Sequence, residues 1–223
     1  MAAISFNNRQ NVYYGSTAIR RVYCGPTLVW TDADETVISD FGTAAGAVPS
    51  ADWRITAGGL SLGQVAGVTV ATPTAVPTVA VHNVFSAANV RVEVQAVYGN
   101  FGTVVVLARS QGTTWATQTC YGVEVLGLSP APGVSGGTQF VSSIRLFRRV
   151  AGVDTTVQTF NPSFTFVSLT PPLIIELNGT NIRVVLGSTV YTATDAGISA
   201  AGGVGVGVFG AGAGLKSFTA RAL

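Results

Sequence analysis

The sequence predicts an all-β protein, an antiparallel sandwich or barrel, on three observations. Valine and threonine make up about a quarter of the 223 residues, against one lysine (Lys216) and four glutamates (Glu35, Glu93, Glu124, Glu176). β-Branched side chains suit a pleated surface, whereas long unbranched ones favour helices. Runs such as Val90-Arg91-Val92-Glu93-Val94-Gln95 alternate apolar and polar residues, the period of a strand with one buried face. Turn residues interrupt these runs about every eight to twelve positions, and no apolar stripe of helical period develops between them.

Residues 1–35 stand apart. Val12-Tyr13-Tyr14-Gly15-Ser16 returns as Val22-Tyr23-Cys24-Gly25-Pro26, with Ala18-Ile19-Arg20-Arg21 between them and Leu28-Val29-Trp30 after. This predicts an aromatic β-meander of three or four strands that turns at Gly15 and Gly25. So small a unit has no adequate core of its own. Tyr13, Tyr14, Tyr23 and Trp30 are therefore expected to pack on a neighbour, either the main domain or another chain, as docking residues. Thr31-Asp32-Ala33-Asp34-Glu35-Thr36 follows as a solvated acidic linker, and residues 36–223 form the main domain.

Within that domain, residues 55 to 81 and 196 to 215 carry no formal charge. The first holds Pro73 and Pro77 among threonines, and the second has glycine at alternate positions around Gly203 to Gly207. Neither is the roughly 20-residue apolar helix that crosses a bilayer, so both read as strands and turns without membrane insertion. Val104-Val105-Val106-Leu107 is apolar on both faces and reads as a strand that is central or covered on both sides. Gly127 to Gly137 is the longest loop-like insert. Gln139 to Val150, Leu173 to Leu177 and Ile182 to Leu186 read as strands. Asn178-Gly179 joins the last two as a hairpin, since both residues tolerate positive φ; that turn also accounts for the glycosylation-like Asn178-Gly179-Thr180.

Composition narrows the function. The chain is 48% hydrophobic with a net charge of +2, which excludes disorder. No basic face exists to neutralise phosphates, so nucleic acid is excluded as a partner. Arg20-Arg21 and Arg148-Arg149 are the only adjacent cations and read as one side chain on each strand face. Only 10% of residues are charged and the mean hydropathy is +0.46, against about 25% charged in an average domain. Extensive neutral surface follows, and with it the expectation of a homo-oligomer or a subunit of a larger assembly, or else of a chain that shields itself with threonine, serine and glycine. Two cysteines, Cys24 and Cys120, are too few for a disulfide framework, and the sequence leaves open whether they pair. Met1 to Arg9 lacks the charged start and apolar run of a signal peptide.

Two stretches resemble known families. Val12 to Trp30 is similar to the short amino-terminal element of many tailed-bacteriophage virion proteins: tyrosine, a variable residue and glycine, then a second such unit ending in valine-tryptophan. Val37 to Leu223 resembles the concanavalin A-like (laminin G-like) jelly-roll domains of phage structural and carbohydrate-active proteins. The resemblance rests on Asp40-Phe41, Gly46 and Trp53 at the opening, and on Phe101-Gly102 to Arg109 with Cys120 to Val125 at the centre. Leu173 to Gly187, Thr192-Ala193-Thr194-Asp195 and Gly202-Gly203-Val204-Gly205-Val206 match the close. In the last strand Lys216-Ser217 stands where the family usually has an acid. The resemblance implies two antiparallel sheets in which Val37 to Phe41 pairs with Ser217 to Ala222, and close backbone approaches at the glycine-rich strand near Gly203.

A glycoside hydrolase needs two facing carboxyl groups, yet no predicted strand carries two acids on one face. Glu93, Glu124 and Glu176 each read as an isolated, exposed strand position, with convergence from neighbouring strands left open. His82 is the only histidine and reads as a strand-end surface residue, which leaves triads and imidazole metal sites without support. Asp195 is the best oxygen donor for calcium but lacks an acidic companion at Lys216-Ser217, so neither metal nor cofactor is expected. For sugar binding, Asn100, Arg109, Trp115 and Tyr121 are the candidates, and Trp115 is the strongest; the plainer role for Trp115 is a loop anchor at the sandwich edge. The expected function is that of a non-enzymatic structural subunit of a tailed-phage virion, of the minor tail protein type. It is made in the host cytoplasm, docks by its amino-terminal segment to other virion proteins and copies of itself, and displays a lectin-like sandwich toward host-surface glycan. A head decoration protein, or a glycan-processing enzyme on the same fold, are the alternatives.

Overall fold

A computed structural model describes residues 36–41, 52–98, 102–126, 141–162, 171–210 and 212–223 in full, and the backbone of 12–14, 17–19, 21–24, 27–31, 129–130, 138–140 and 164–167. In place of one meander, the amino-terminal segment forms two antiparallel hairpins: β1 (Val12–Tyr14) with β2 (Thr17–Ile19), and β3 (Arg21–Cys24) with β4 (Thr27–Thr31). The main domain begins with β5 (Thr36–Asp40), β6 (Trp53–Val65), β7 (Val68–His82), β8 (Val90–Tyr98), β9 (Val104–Gln111) and β10 (Thr119–Leu126). It continues with β11 (Ser129–Pro130), β12 (Thr138–Val141), β13 (Ser143–Val150), β14 (Val153–Phe160) and β15 (Phe164–Val167). The last strands are β16 (Leu173–Asn178), β17 (Asn181–Leu186), β18 (Thr189–Thr194), β19 (Gly203–Val208) and β20 (Ala213–Ala222).

These strands build two antiparallel layers. The front sheet runs β14-β13-β10-β9-β19-β7-β6 and the back sheet β5-β20-β8-β16-β17-β18, with β7 crossing to β20 at Ala71 and Leu215. A third small sheet, β11-β12-β15, draws part of the insert read as a loop into a two-residue strand.

The period-two patterning explains the layers. On β8 every second side chain from Val90 to Val94 is buried while Arg91, Glu93 and Gln95 face out. The inward residues of β8, β16, β17 and β20 meet Val104, Val106, Tyr121, Val123, Ile144, Leu146, Val204 and Val206 of the front sheet in one core. On β9 the seven residues from Val104 to Ser110 are all buried. Val105 and Leu107 enter a second cluster on the outer side of the front sheet, where they lie with Val79, Cys120 and Phe147 under Ala57, Trp115 and Phe209.

The register between β5 and β20 is the one the resemblance implies. Val37 pairs Ala220, Asp40 pairs Ser217, and the Phe41 amide donates to the Lys216 carbonyl at 3.0 Å. Trp53 locks this closure: its ring lies 4.8 Å from Phe218 and 5.4 Å from Phe41, and Nε1 donates to Ser39 Oγ at 3.1 Å. His82 ends β7 with its ring 5.4 Å from Trp53. The glycine-rich β19 is a central strand because its neighbours leave no room: a Cβ on Gly205 would lie 2.6 Å from the Ala80 carbonyl oxygen. The Asn-Gly hairpin forms one residue later than expected. Asn178 pairs Asn181, which leaves Gly179 at φ +60° as the first residue of a two-residue loop.

Candidate functional site

The outer face of the front sheet brings β10, β13 and β14 together with the β9–β10 loop. Cys120, Gly122 and Glu124 lie opposite Arg149, Phe147 and Arg145, and Asp154 lies opposite Arg149 on β14. These pairings put all seven residues, and so six side chains and the bare backbone of Gly122, on one face. Gly122 is required there, because a Cβ would lie 2.2 Å from the Phe147 ring. The Arg145 guanidinium covers the same ring at 4.8 Å.

Trp115 stands over this floor on a short 3₁₀ turn, Trp115–Thr117, and is half-buried. The Arg149 guanidinium stacks on the indole at 3.9 Å, and its Nε and Nη2 donate to the Trp115 carbonyl at 3.2 and 3.1 Å. Phe209 meets the indole edge-on at 5.5 Å. Asp154 holds the arginine from the far side, accepting from Nη1 at 2.5 Å. The loop itself is pinned by Gly152 N to the Gln118 carbonyl (3.0 Å), Ala151 N to Thr119 Oγ1 (3.1 Å) and Arg54 to the Gly112 carbonyl (2.8 Å). The result is a half-buried indole of fixed orientation, with Arg149 over one face, beside charged groups that also hydrogen-bond to one another. A sugar ring is recognised by such a combination, its C–H face by an aromatic and its hydroxyls by side chains in fixed geometry.

The other sequence candidates separate from Trp115. Arg109 is 2% exposed and sits at φ +50° in a bulge of the β9–β10 ladder. The bulge turns its guanidinium toward the end of the sandwich, where Nε donates to the Ala88 carbonyl (2.6 Å) and Nη2 to that of Gly179 (2.7 Å), with Nη1 on Ile198. Tyr121 lies in the core. Its hydroxyl donates to Asp195 Oδ1 at 2.5 Å and accepts from the Ile198 amide at 3.1 Å. Both side chains tie the ends of the two sheets together and present nothing to a ligand. Asn100 lies outside the described residues. Tyr13 and Tyr14 fall on β1, Tyr23 on β3 and Trp30 on β4, but their side chains lie outside the described residues.

Asp195 belongs to the same knot. Arg148 Nη1 reaches its Oδ1 and Oδ2 at 2.9 and 2.8 Å, and the Gly197 amide donates at 2.6 Å. Burial raises its pKa, but the hydrogen bonds from Tyr121, Gly197 and Arg148 outweigh burial and hold the carboxyl below its usual range. A carboxylate so engaged is a structural group rather than a free calcium ligand, and among the described residues no three acidic, histidine or cysteine side chains cluster. Cys120 is a free, buried thiol, pushed up to about 12 by burial.

The glutamates are not the isolated, exposed positions the sequence suggests. Glu124 is 4% exposed and accepts from Arg145 Nε, while Asp154 Oδ2 lies 3.6 Å from Nη2 of the same arginine. On the back sheet Glu93 and Glu176 share Arg91, and Glu176 also accepts from Arg183 at 2.6 Å. Convergence across strands therefore occurs twice, each time around an arginine. Burial raises the Glu124 carboxyl above its ordinary value, and Arg145 acts against that rise.

Sequence reasoning missed Arg145, Phe147, Arg149 and Asp154. The signal was the alternation in Arg145-Leu146-Phe147-Arg148-Arg149, which sets Arg145, Phe147 and Arg149 on one face and Leu146 and Arg148 on the other.

This architecture is a jelly-roll β-sandwich of the concanavalin A-like kind, the fold of carbohydrate-binding modules. Among solved structures it is similar to the carbohydrate-binding module CBM66 from Bacillus subtilis, with TM-score 0.57 and 15% identity over 76% of this chain and 95% of that one. A Bacillus licheniformis beta-glucanase aligns with TM-score 0.54 and 13% identity over 83% and 97% of the two chains. The CBM2 module of the evolved Dit of Lactobacillus casei BL23 phage J-1 aligns with TM-score 0.53 and 10% identity over 85% and 96%. The sequence matches no protein-family description and no curated protein. At such identities the likeness is one of fold.

Proposed function

We propose that this chain is a glycan-binding structural subunit of a tailed-phage virion, of the minor tail protein type, and that it has no catalytic activity. The amino-terminal hairpins dock it to other virion proteins, and the outer face of the front sheet receives host-surface glycan at Trp115. The observation that carries the glycan reading is the clamped indole: Arg149 stacked at 3.9 Å, with Asp154 fixing the arginine behind it. The tyrosine- and glycine-rich amino-terminal element supports the virion setting. The carbohydrate-binding and phage Dit modules that share the fold are consistent with both parts.

Binding of the full chain to a panel of bacterial surface polysaccharides tests the glycan part. Trp115→Ala should weaken the best ligand at least about tenfold, with the melting temperature measured in parallel. Unchanged affinity in a folded variant refutes the site. Removal of residues 1 to 34 should leave a folded sandwich that fails to enter particles, and normal incorporation refutes the docking role.

An enzyme on this face would have to use Glu124 and Asp154, the two acids that converge there. Both are engaged by Arg145, which leaves neither free to move a proton. Polysaccharide hydrolysis that disappears in Glu124→Gln would overturn the non-catalytic assignment.

A further inference from the structure

Both sheets end on the same flank, front-sheet β14 beside back-sheet β18, and the gap between them is closed by Phe160 stacked on Tyr191 at 4.8 Å. Each of these strands pairs on one side only among the described residues. Monomeric sandwiches guard such edges with lysine, proline, inward-pointing charge or short strands. Here Val153-Asp154-Thr155-Thr156-Val157-Gln158-Thr159-Phe160 and Thr189-Val190-Tyr191-Thr192-Ala193-Thr194 hold no lysine, arginine or proline. Their one charge, Asp154, is engaged by Arg145 and Arg149 on the face of the sheet. Six of the eight residues of β14 are exposed, and Val153 and Val190 remain 69% and 46% accessible. The opposite flank differs: β6 is broken by three register shifts, with Gly58 at φ +62° among them, a bulged edge that resists pairing.

We infer that the β14/β18 flank is a self-association surface, on which a second copy of this chain adds its own β14 antiparallel to the first. The occupant follows from charge and area. An edge without outward charge meets its own copy without like-charge repulsion, and a two-fold pairing of identical edges closes on itself rather than polymerising. Eight residues of strand span about 27 Å, and two sheets about 10 Å apart with their side chains give a flank about 20 Å deep. That is about 500 Å² per copy and about 1,000 Å² in all, the lower bound for a specific interface. Paired threonine and valine side chains across the new ladder suit such a contact. This inference deepens the assembly part of the proposed function and is independent of the glycan site.

The test is sedimentation velocity of the full chain from about 1 to about 100 µM, a range over which mass action exposes a weak dimer. The wild-type chain should move from monomer toward dimer. Thr155→Lys with Gln158→Lys, and separately Val190→Lys, should shift the midpoint up by at least about tenfold. Ile38→Lys, an exposed position on the other flank, should leave it unchanged. Because these are surface positions, an unchanged melting temperature separates lost pairing from lost folding. As a second readout, the Asp154 and Thr156 amides, which alternate with those bonded to β13, should gain hydrogen-exchange protection as concentration rises. A wild-type chain that stays monomeric throughout, or lysine variants that dimerise as wild type does, overturns the inference. Either result leaves glycan binding by the monomer measurable and unaffected.

Discussion

The outward faces of the two sheets are built on opposite rules. The front face carries a second hydrophobic cluster, with Phe147 and Leu107 fully buried beneath Trp115 and Phe209. The back face carries an ionic ladder in which Arg221, Arg91, Glu176 and Arg183 follow one another across four strands. Beside the ladder lies an open depression of about 650 Å³ lined by polar groups such as Asn178, Asn181 and Thr194, with no aromatic side chain. Glu176 is the centre of the ladder: burial raises its carboxyl, but the hydrogen bonds from Arg183 and Arg91 outweigh burial and hold it below the usual carboxylate range. Among the described residues the stacked indole of Trp115 lies on the front face, whereas no aromatic side chain lines the hollow on the back, which makes that hollow the less suitable sugar site.

If the front face is a true second core, Phe147→Ala should be the most damaging single change, at about 3–5 kcal/mol, read as a lower urea midpoint. A loss under about 1 kcal/mol would make that cluster a mere surface patch. Next comes the knot that ties the sheets at one end. Asp195→Asn should cost about 2–3 kcal/mol near neutral pH, because it leaves Arg148 half-buried without its partner. The Asp195 carboxyl titrates below its unfolded value, so its contribution is present above the ordinary carboxylate range and lost as pH falls through the depressed folded value. The variant's stability should accordingly fall less than wild type's on acidification, measured as melting temperature between about pH 2 and pH 7. A parallel decline in both proteins would remove Asp195 from that role.

On the back face, Glu176→Gln should cost only about 0.5–1 kcal/mol, and less in high salt, since its partners are partly solvated. A loss as large as that of Phe147→Ala would erase the contrast between the faces. The turns give the smallest effect. Back-sheet hairpins place Gly179 and Gly187 first in their loops, whereas front-sheet hairpins place Ala66 and Ala151 there at φ +49° and +47°. Ala151→Gly should therefore stabilise by about 0.5–1 kcal/mol, visible as a small rise in melting temperature.

The same contrast explains what was legible in the sequence. On the back sheet, alternation in β8 announces an inside and an outside, and the pairing of Val37 to Phe41 with the last strand follows from the family resemblance. On the front sheet, β9 reads correctly as covered on both faces, but nothing local says what covers its outer side. Trp115 and Phe209 arrive from loops 94 residues apart in the chain. Glu124 looks exposed because its strand neighbours are apolar, and only the cross-strand register reveals Arg145. Arg109 was misread because its role depends on a bulge, which re-aims a side chain that strict alternation would have placed on the outer face.

The central claim is that glycan meets the front face at Trp115. The most direct measurement is backbone amide and indole NMR shift mapping of the full chain during titration with the tightest-binding oligosaccharide from the panel. The account predicts shifts concentrated at Trp115, Arg149, Asp154 and Phe209, with Arg91, Glu176 and Arg183 unmoved. Shifts confined to the back-sheet ladder would contradict it.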